Sequence, residues 1–149
     1  GNPRPGPKFD YKLAWLERLK LHAATLLAID APAVLAGDFN IIPTSFDVYK
    51  PERWTTDALF VPEVREAFAE LVREGWIDAL RKIYPDEKIY TFWDYFRRSF
   101  ERDAGLRIDH FLLNPQAAKR LTSGGVDRAT RALERTSDHA PAWIALSAR

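Results

Sequence analysis

A short apolar run that ends abruptly in polar residues narrows the choice of folds more than any other part of this chain. The run Ala33-Val34-Leu35-Ala36 follows Pro32 and stops at Gly37-Asp38-Phe39-Asn40. Because the run is apolar throughout and bounded by turn-forming residues, it predicts a buried strand. The ends of such strands are where α/β sheets carry functional groups. We therefore expect chemistry to begin at Asp38.

Helical and strand patterns alternate on either side of this run. Asp10 is a predicted N-cap for a first helix, and Pro62 and Gly75 mark the first helical position and the C′ position of a second. Residues 41–60 show no sustained period and predict a long loop. Further apolar segments predict strands at residues 90–93, 107–113 and 142–146 and a short helix at residues 115–121. These elements together indicate the α/β class.

The composition excludes several classes of protein. The 149 residues suffice for one domain with a sizeable core. With 22 basic and 21 acidic side chains the formal net charge is +1, so any site for a polyanion must be local. The absence of cysteine excludes disulfides, thiolate nucleophiles and zinc ribbons. The longest apolar stretch, around residues 31–36, is far shorter than the roughly 20 residues of a membrane span. We expect a cytoplasmic protein without a membrane partner.

Asp38 and Asn40 form the first candidate site. Alternate residues of an extended chain share a face, so the carboxylate and the amide lie on the same side. Such a pair can hold a hard cation or orient a water molecule. From this segment alone, an Asx turn that closes the strand is the favoured interpretation.

Two further polar clusters come later in the chain. Asp109 lies inside the apolar run at residues 108–113, where an ionised carboxylate needs a partner such as Arg107, His110 or the distant His139. Ser137-Asp138-His139 precedes a predicted strand and places two titratable side chains at the mouth of a sheet. A structural ion pair and a strand-entry turn are the alternative interpretations of these two clusters.

Arginines gather near a group of aromatic residues. Guanidinium groups beside aromatic rings suit contacts with phosphates, sugars and bases. A solvated basic surface is the alternative explanation. The residues concerned are Arg97, Arg98, Arg102 and Arg107, close to Phe92, Trp93 and Tyr95.

Taken together, the motifs resemble a known family. Gly37-Asp38-Phe39-Asn40, Tyr90-Thr91-Phe92-Trp93-Asp94-Tyr95, Gly105-Leu106-Arg107-Ile108-Asp109 and Ser137-Asp138-His139-Ala140-Pro141 occur in this order. This set is similar to the exodeoxyribonuclease III family of the endonuclease/exonuclease/phosphatase superfamily, from residue 7 to about residue 146. The resemblance implies a DNA repair nuclease that uses Mg²⁺, or Mn²⁺ in its place, and acts at abasic sites and 3′ ends of duplex DNA.

The resemblance also implies roles for individual residues. Asp38 matches the aspartate that activates or orients the attacking water, and Asn40 matches the amide that helps to hold the phosphate or the metal. Asp138 matches a metal-binding carboxylate that joins Asp38 and Asn40 around the ion. His139 matches the histidine at the scissile phosphate, and Asp109 matches the carboxylate that orients it.

DNA contacts are expected at four further residues, three of them from the resemblance. Phe92, Trp93 and Leu106 match positions that line a pocket for a sugar without its base, and Arg107 is the basic residue beside them. An apolar wall of this kind would reject a nucleotide that still carries its base. These four residues complete the predicted site.

The resemblance covers only the second half of the family's fold, a four-layer α/β sandwich built from two similar halves. We expect one mixed sheet with helices on its outer face and an absent N-terminal half. An asparagine, a glutamate and a tyrosine that the family's first half adds to the site have no counterpart here. The open sheet face is expected to take up the missing N-terminal half or a second copy, and the fragment alone is expected to be inactive.

Two other functions share some of these motifs. A phosphatase or phosphodiesterase of the same superfamily, acting on a small phosphorylated substrate, would also carry Asp-x-Asn and Ser-Asp-His. The segments at residues 90–95 and 106–109 favour the nuclease. A DNA-binding half-domain without catalytic activity is the other alternative.

Overall fold

The computed structural model describes residues 6–148, which form five helices, five strands and three single 3₁₀ turns. The helices are α1 Pro7–Leu27, α2 Pro62–Glu74, α3 Ala79–Ile83, α4 Pro115–Ala118 and α5 Arg128–Arg131. The strands are β1 Val34–Asp38, β2 Ile77–Asp78, β3 Asp109–Leu113, β4 Leu121–Val126 and β5 Ala142–Leu146. The 3₁₀ turns are Ser45–Asp47, Pro51–Arg53 and Phe96–Arg98. This interleaving of helices and strands confirms the predicted α/β class.

The strands form two groups, and every pairing in them is antiparallel. β3 lies between β1 and β2, and β4 pairs with β5. The expected single mixed sheet is therefore not what the described residues form. The register of β1 against β3 sets Asp38 directly opposite Asp109. Opposed residues of an antiparallel pair share a face, so this register brings two carboxylates to the same end of the sheet.

The first helix begins four residues earlier than the sequence predicts. Gly6 is the N-cap and Pro7 occupies the first turn, which leaves Asp10 inside the helix. Proline suits this start because its fixed φ is helical and its missing N–H would have no helical partner there. The acidic Asp10 still lies in the first turn, where a negative charge favours the helix dipole.

The second helix matches its predicted limits. Pro62 lies in the first turn of α2, and Gly75 follows its last residue with a φ of 123°. This backbone conformation favours glycine. The N–H of Gly75 is bonded to the carbonyls of Leu71 and Val72. Local capping chemistry therefore fixes both ends of this helix.

Two strand predictions need correction. Residues 90–93 form no strand; instead Phe92 makes single bridges to Leu106 and His139. β4 was not predicted, because its sequence contains Gly124 and Gly125, which weaken a strand pattern. A Cβ at Gly124 would lie 2.9 Å from the Trp143 carbonyl oxygen, so close approach of the two strands explains the glycine.

The core lies between the first sheet and helices α1 and α2. One buried cluster contains a residue from each of these elements: Leu16 of α1, Phe68 of α2 and Leu112 of β3. A second cluster packs the segment 41–60 against the residues before β3 and includes Ile42, Val48 and Leu106. The segment predicted as a loop is therefore ordered and partly buried, and it packs beside the ends of the strands. Within residues 6–148, no helix is long and apolar enough to cross a bilayer.

Candidate active site

The candidate site is centred on Asp38, Asp109 and His139. Asp38 ends β1 and Asp109 begins β3, while His139 lies just before β5. The His139 Nδ1 lies 2.8 Å from Asp109 Oδ2, and its Nε2 lies 4.0 Å from Asp38 Oδ2. The side chains of Asp38, Asp109 and His139 are 35%, 21% and 30% exposed. All three are therefore accessible to a substrate and partly shielded from water.

Asp109 fixes both the orientation and the charge preference of His139. An ionised carboxylate only accepts hydrogen bonds, so Nδ1–H donates to Asp109 and Nε2 is directed towards Asp38. This hydrogen bond raises the pKa of His139 above its ordinary 6.5, although partial burial opposes the effect. Because the folded-state pKa is raised, the pair stabilises the fold fully below about pH 6.5, and this contribution disappears as the pH rises through the folded-state pKa.

Asp109→Asn is expected to lower the pKa of His139, because an amide provides no negative charge to stabilise the imidazolium. An NMR titration of the His139 ring measures the change directly. Asp86→Asn, at an exposed position, serves as the control and should leave the titration unaltered. An unchanged His139 pKa in Asp109→Asn would contradict the pairing.

Asp38 is suited to accept a proton. Burial raises the pKa of its carboxyl and the nearby Asp109 adds to this rise, while the Asn40 amide and His139 lower it. The net effect is an upward shift. A carboxylate that is more basic than usual is a better general base near neutral pH.

Asn40 is closely tied to Asp38. Its backbone N–H donates to Asp38 Oδ1 at 2.8 Å, and its side-chain Nδ2 donates to Asp38 Oδ2 at 3.0 Å. The Asx turn considered from the sequence is therefore present, and it orients the same two side chains that form the candidate site. Asn40 has a φ of 52°, in the left-handed region that asparagine tolerates better than most residues. Its amide oxygen is left free of Asp38.

Phe92 and Leu106 lie beside this centre. The Phe92 ring meets the His139 ring edge-on, with 5.1 Å between centroids. Phe92 and Leu106 line a pocket of about 280 Å³ that also takes Tyr49, Trp54 and Arg102. The structure thus groups two of the predicted pocket residues.

Trp93 and Arg107 do not lie where the predicted DNA contacts require. Trp93 is fully buried, and its Nε1 donates to Asp103 Oδ1 at 3.1 Å. Arg107 is 1% exposed, with Nε 2.7 Å from Asp47 Oδ1 and one Nη 2.8 Å from Asp78 Oδ2. Trp93 is thus a core ring and Arg107 a buried cation, and neither surface is available to DNA.

His110 completes the network around Arg107. It is fully buried, and burial together with the Arg107 charge lowers its pKa to about 4. The neutral ring bonds the Ile41 carbonyl at 2.9 Å and faces an Arg107 Nη at 3.2 Å. Asp109 therefore pairs with His139, while the other two partners considered from the sequence, Arg107 and His110, pair with each other.

Asp138 is half-buried next to His139, and its charge contributes to the raised pKa of that histidine. Its backbone carbonyl accepts a hydrogen bond from Trp93 N at 2.9 Å. The described part of the chain contains no group of three or more His, Cys, Asp or Glu residues placed to hold a metal ion. Asp38, Asn40 and Asp138 offer oxygen donors, the type that Mg²⁺ prefers, but not a complete ligand set.

Sequence reasoning missed two contributors to this region. Lys12, on α1, is 9% exposed and reaches the turn that carries Asn40. Burial lowers the pKa of Lys12 to about 8, although Asp57 and Asp38 oppose this effect. Phe96 is 74% exposed beside Arg97 and Arg98. Its position within the cluster of arginines and aromatic residues is the sequence feature that could have indicated it. No sequence pattern indicates that Lys12 turns inward.

The chain matches a family model. Residues 1–139 match the model described as the Endonuclease/Exonuclease/phosphatase family. Among curated proteins, it is 34% identical over 143 residues to DNA repair nuclease APEX1 of Danio rerio, covering 94% of this chain and 44% of that protein. It is 36% identical over 120 residues to exodeoxyribonuclease III of Haemophilus influenzae, covering 75% of this chain and 45% of that protein.

The fold matches solved structures as well. The 3′ phosphatase NExo from Neisseria, bound to a product DNA hairpin, superimposes with a TM-score of 0.93 and is 39% identical. The match covers 99% of this chain and 57% of that one. The chain therefore spans about half the length of the relatives it matches.

Proposed function

The chain belongs to the Endonuclease/Exonuclease/phosphatase family, and we propose that it provides part of the active site of a DNA repair nuclease. The reaction is hydrolysis of phosphodiester bonds at abasic sites and 3′ ends of duplex DNA. The observation that carries this proposal is the placement of Asp38, Asp109 and His139 at one sheet end, beside the pocket at Phe92. Relatives named DNA repair nuclease and exodeoxyribonuclease III support it.

In this proposal each of these side chains has a separate task. Asp38 accepts a proton from the attacking water, for which its raised pKa is suited. His139 Nε2 donates a hydrogen bond to a phosphate oxygen, and Asp109 orients the ring and favours its protonated form. The 4.0 Å between Nε2 and Asp38 Oδ2 exceeds a hydrogen bond, so a bridging phosphate oxygen or water can contact both groups.

Mg²⁺, or Mn²⁺ in its place, is part of the proposal. Asp38, Asn40 and Asp138 would hold the ion through their side-chain oxygens. When bound, such an ion offsets the charge that develops on the phosphate oxygens. The remaining ligands would come from water, from the substrate, or from protein outside residues 6–148.

The DNA surface follows from exposure and charge. Phe92 lines the pocket beside His139, and Arg53 and Arg102 lie on its rim. Tyr95 and Phe96 are 59% and 74% exposed on the neighbouring turn. Exposed aromatic rings among guanidinium groups suit contacts with the sugar–phosphate backbone and with bases.

Phe92→Ala is expected to reduce the preference for abasic over intact duplex DNA more than it reduces DNA affinity. Trp93→Ala, its matched neighbour, should instead lower the free energy of unfolding by about 3–5 kcal/mol, as expected for a deleted core tryptophan. Cleavage of paired substrates and chemical denaturation measure the two effects. Equal losses on both duplexes for Phe92→Ala would contradict the pocket assignment.

A second layer is proposed to cover the open sheet face. Side chains alternate along β1, so Leu35 faces the helices while Val34 and Ala36 face away from them. Val34 is 38% exposed on this face, and Trp143, on β5 of the second group of strands, is 47% exposed. We propose that this face packs against a further segment of a longer protein, or against a second copy of this chain.

Residues 1–149 expressed alone are expected to show no abasic-site cleavage and to associate through this face, because an uncovered apolar surface favours association. Analytical ultracentrifugation and a cleavage assay measure both properties. Val34→Lys should reduce the association. A stable monomer that cleaves DNA at an enzymatic rate would contradict the proposed second layer.

A small phosphorylated substrate is the second candidate, favoured by the modest volume of the pocket at Phe92, about 280 Å³. The test measures the activity of the natural-length protein, meaning the full-length product of its gene, on three substrates. They are a duplex with one abasic site, a duplex with a 3′ phosphate and an inositol phosphate. The nuclease proposal predicts cleavage of the first. Turnover of inositol phosphate alone would favour the small-substrate phosphatase, and DNA binding without turnover would favour a binding module.

A further inference from the structure

A lysine lies on the buried face of α1, where the other buried residues are apolar. The buried residues of this helix are Phe9, Lys12, Leu16 and Ala23, and Lys12 is only 9% exposed. Lysine is rarely buried, because desolvating an ammonium group and ordering its long side chain both cost free energy. A compensating set of contacts is therefore required at the end of this side chain.

Those contacts are two backbone carbonyls. Lys12 Nζ donates to the Asn40 oxygen at 2.5 Å and to the Ala58 oxygen at 2.9 Å. The ammonium thus connects α1 to the turn after β1 and to the segment that packs beside it. Asp38 and Asp57 act on this charge electrostatically and are not among its hydrogen-bonded partners.

The residue that Lys12 holds is itself conformationally demanding. Asn40 has a φ of 52°, which costs free energy for a residue other than glycine and persists only where the surroundings maintain it. Asn40 in turn donates its backbone and side-chain amides to the two oxygens of Asp38. His110 Nε2 lies 2.9 Å from the next carbonyl, that of Ile41. Two side chains thus anchor consecutive carbonyls of this turn.

We propose that Lys12 is a positioning residue that holds Asn40 in its left-handed conformation and, through Asn40, orients the Asp38 carboxylate. This inference rests on the proposed function for its consequence in catalysis. It does not depend on that function for its consequence in structure. Removing the ammonium donor is expected to let the turn sample other conformations, while the fold retains its other contacts.

Lys12→Met tests the role in catalysis, since methionine keeps the apolar stem and loses the donor. Turnover of abasic-site DNA by the natural-length protein is expected to fall about 10–100-fold, the usual effect of losing a group that orients a functional residue. The KM for DNA should change little, because the hydrogen bonds of Lys12 go to carbonyl groups of the protein backbone and not to DNA. Lys12→Arg should restore most of the turnover. Lys20→Met, at a partly exposed lysine of the same helix, is the control and should leave turnover unchanged.

Amide hydrogen exchange tests the structural part without any assay of activity. The Asn40 N–H should exchange faster in Lys12→Met than in wild type, while amides of α2 keep their protection. If Lys12→Met does not fold, Lys12→Leu serves for both measurements, because leucine also keeps an apolar stem and carries no donor.

The outcomes separate the two proposals. Faster Asn40 exchange in a protein without nuclease activity would support Lys12 and contradict the proposed function. Unchanged exchange and unchanged turnover in a folded Lys12 variant would overturn the role of Lys12. Lower thermal stability with wild-type kcat would also overturn it, because a residue that only stabilises the fold has that effect.

Discussion

Asp38→Asn is expected to lower kcat on abasic-site DNA by about 10²–10⁴-fold, the usual cost of removing a catalytic proton acceptor or charge-stabilising group. An amide cannot accept the proton of the attacking water. It also disturbs the contact with Asn40, because an NH₂ donor replaces one of the two carboxylate oxygens that now accept the Asn40 backbone and side-chain amides. Both effects act on turnover.

Stability should change much less than turnover in this variant, because the Asp38 side chain is 35% exposed. Single-turnover cleavage at saturating Mg²⁺ and chemical denaturation measure the two quantities on the same preparation. Asp86→Asn, at an exposed aspartate outside the pocket, is the control. Turnover within threefold of wild type would contradict the assignment of Asp38 as proton acceptor.

Arg107→Met is expected to lower the free energy of unfolding by about 3–5 kcal/mol, the usual cost of removing one partner from a buried ion pair. Arg107 lies between Asp47 and Asp78, and the Asp47 side chain is fully buried. Burial alone would raise the pKa of Asp47, but Arg107 and other hydrogen-bond donors lower it overall. Without the guanidinium, that carboxylate is left short of its compensating charge.

Urea denaturation measures this loss, and Arg98→Met is the matched control. The Arg98 side chain is 81% exposed, with Glu101 3.8 Å away, so its removal should cost under about 1 kcal/mol. If Arg107→Met keeps wild-type stability and loses DNA affinity, the interpretation of Arg107 as a DNA contact would be correct and the buried network would be unimportant.

Local sequence information predicted the elements whose ends are fixed by their own residues. Pro62 and Gly75 define α2 because capping depends on neighbours within a few positions. The polar groups at Asp38 and Asp109 were predictable because each adjoins an apolar strand. The resemblance to a known family implied that they share one site. Their common location depends on the register of β1 with β3, which sequence periodicity does not specify.

The errors concern residues whose surroundings are assembled from distant parts of the chain. Arginine and tryptophan are typical of surfaces that contact DNA. Here, however, Arg107 is buried in an ion pair with Asp47, and the buried Trp93 donates a hydrogen bond to Asp103. The sequence gives no sign that Lys12 belongs to the site, since a lysine in an amphipathic helix normally points outward. Phe92, next to the buried Trp93, lies beside His139 because single bridges hold it there.

Hydrolysis by a positioned water is the central claim for this site. The direct test is cleavage of a single-abasic-site duplex by the natural-length protein in H₂¹⁸O with Mg²⁺, followed by mass spectrometry of the products. The account predicts strand cleavage with one ¹⁸O atom in the product phosphate, and loss of that product in Asp38→Asn. Cleavage without ¹⁸O in the phosphate, or no cleavage of abasic DNA, would contradict it.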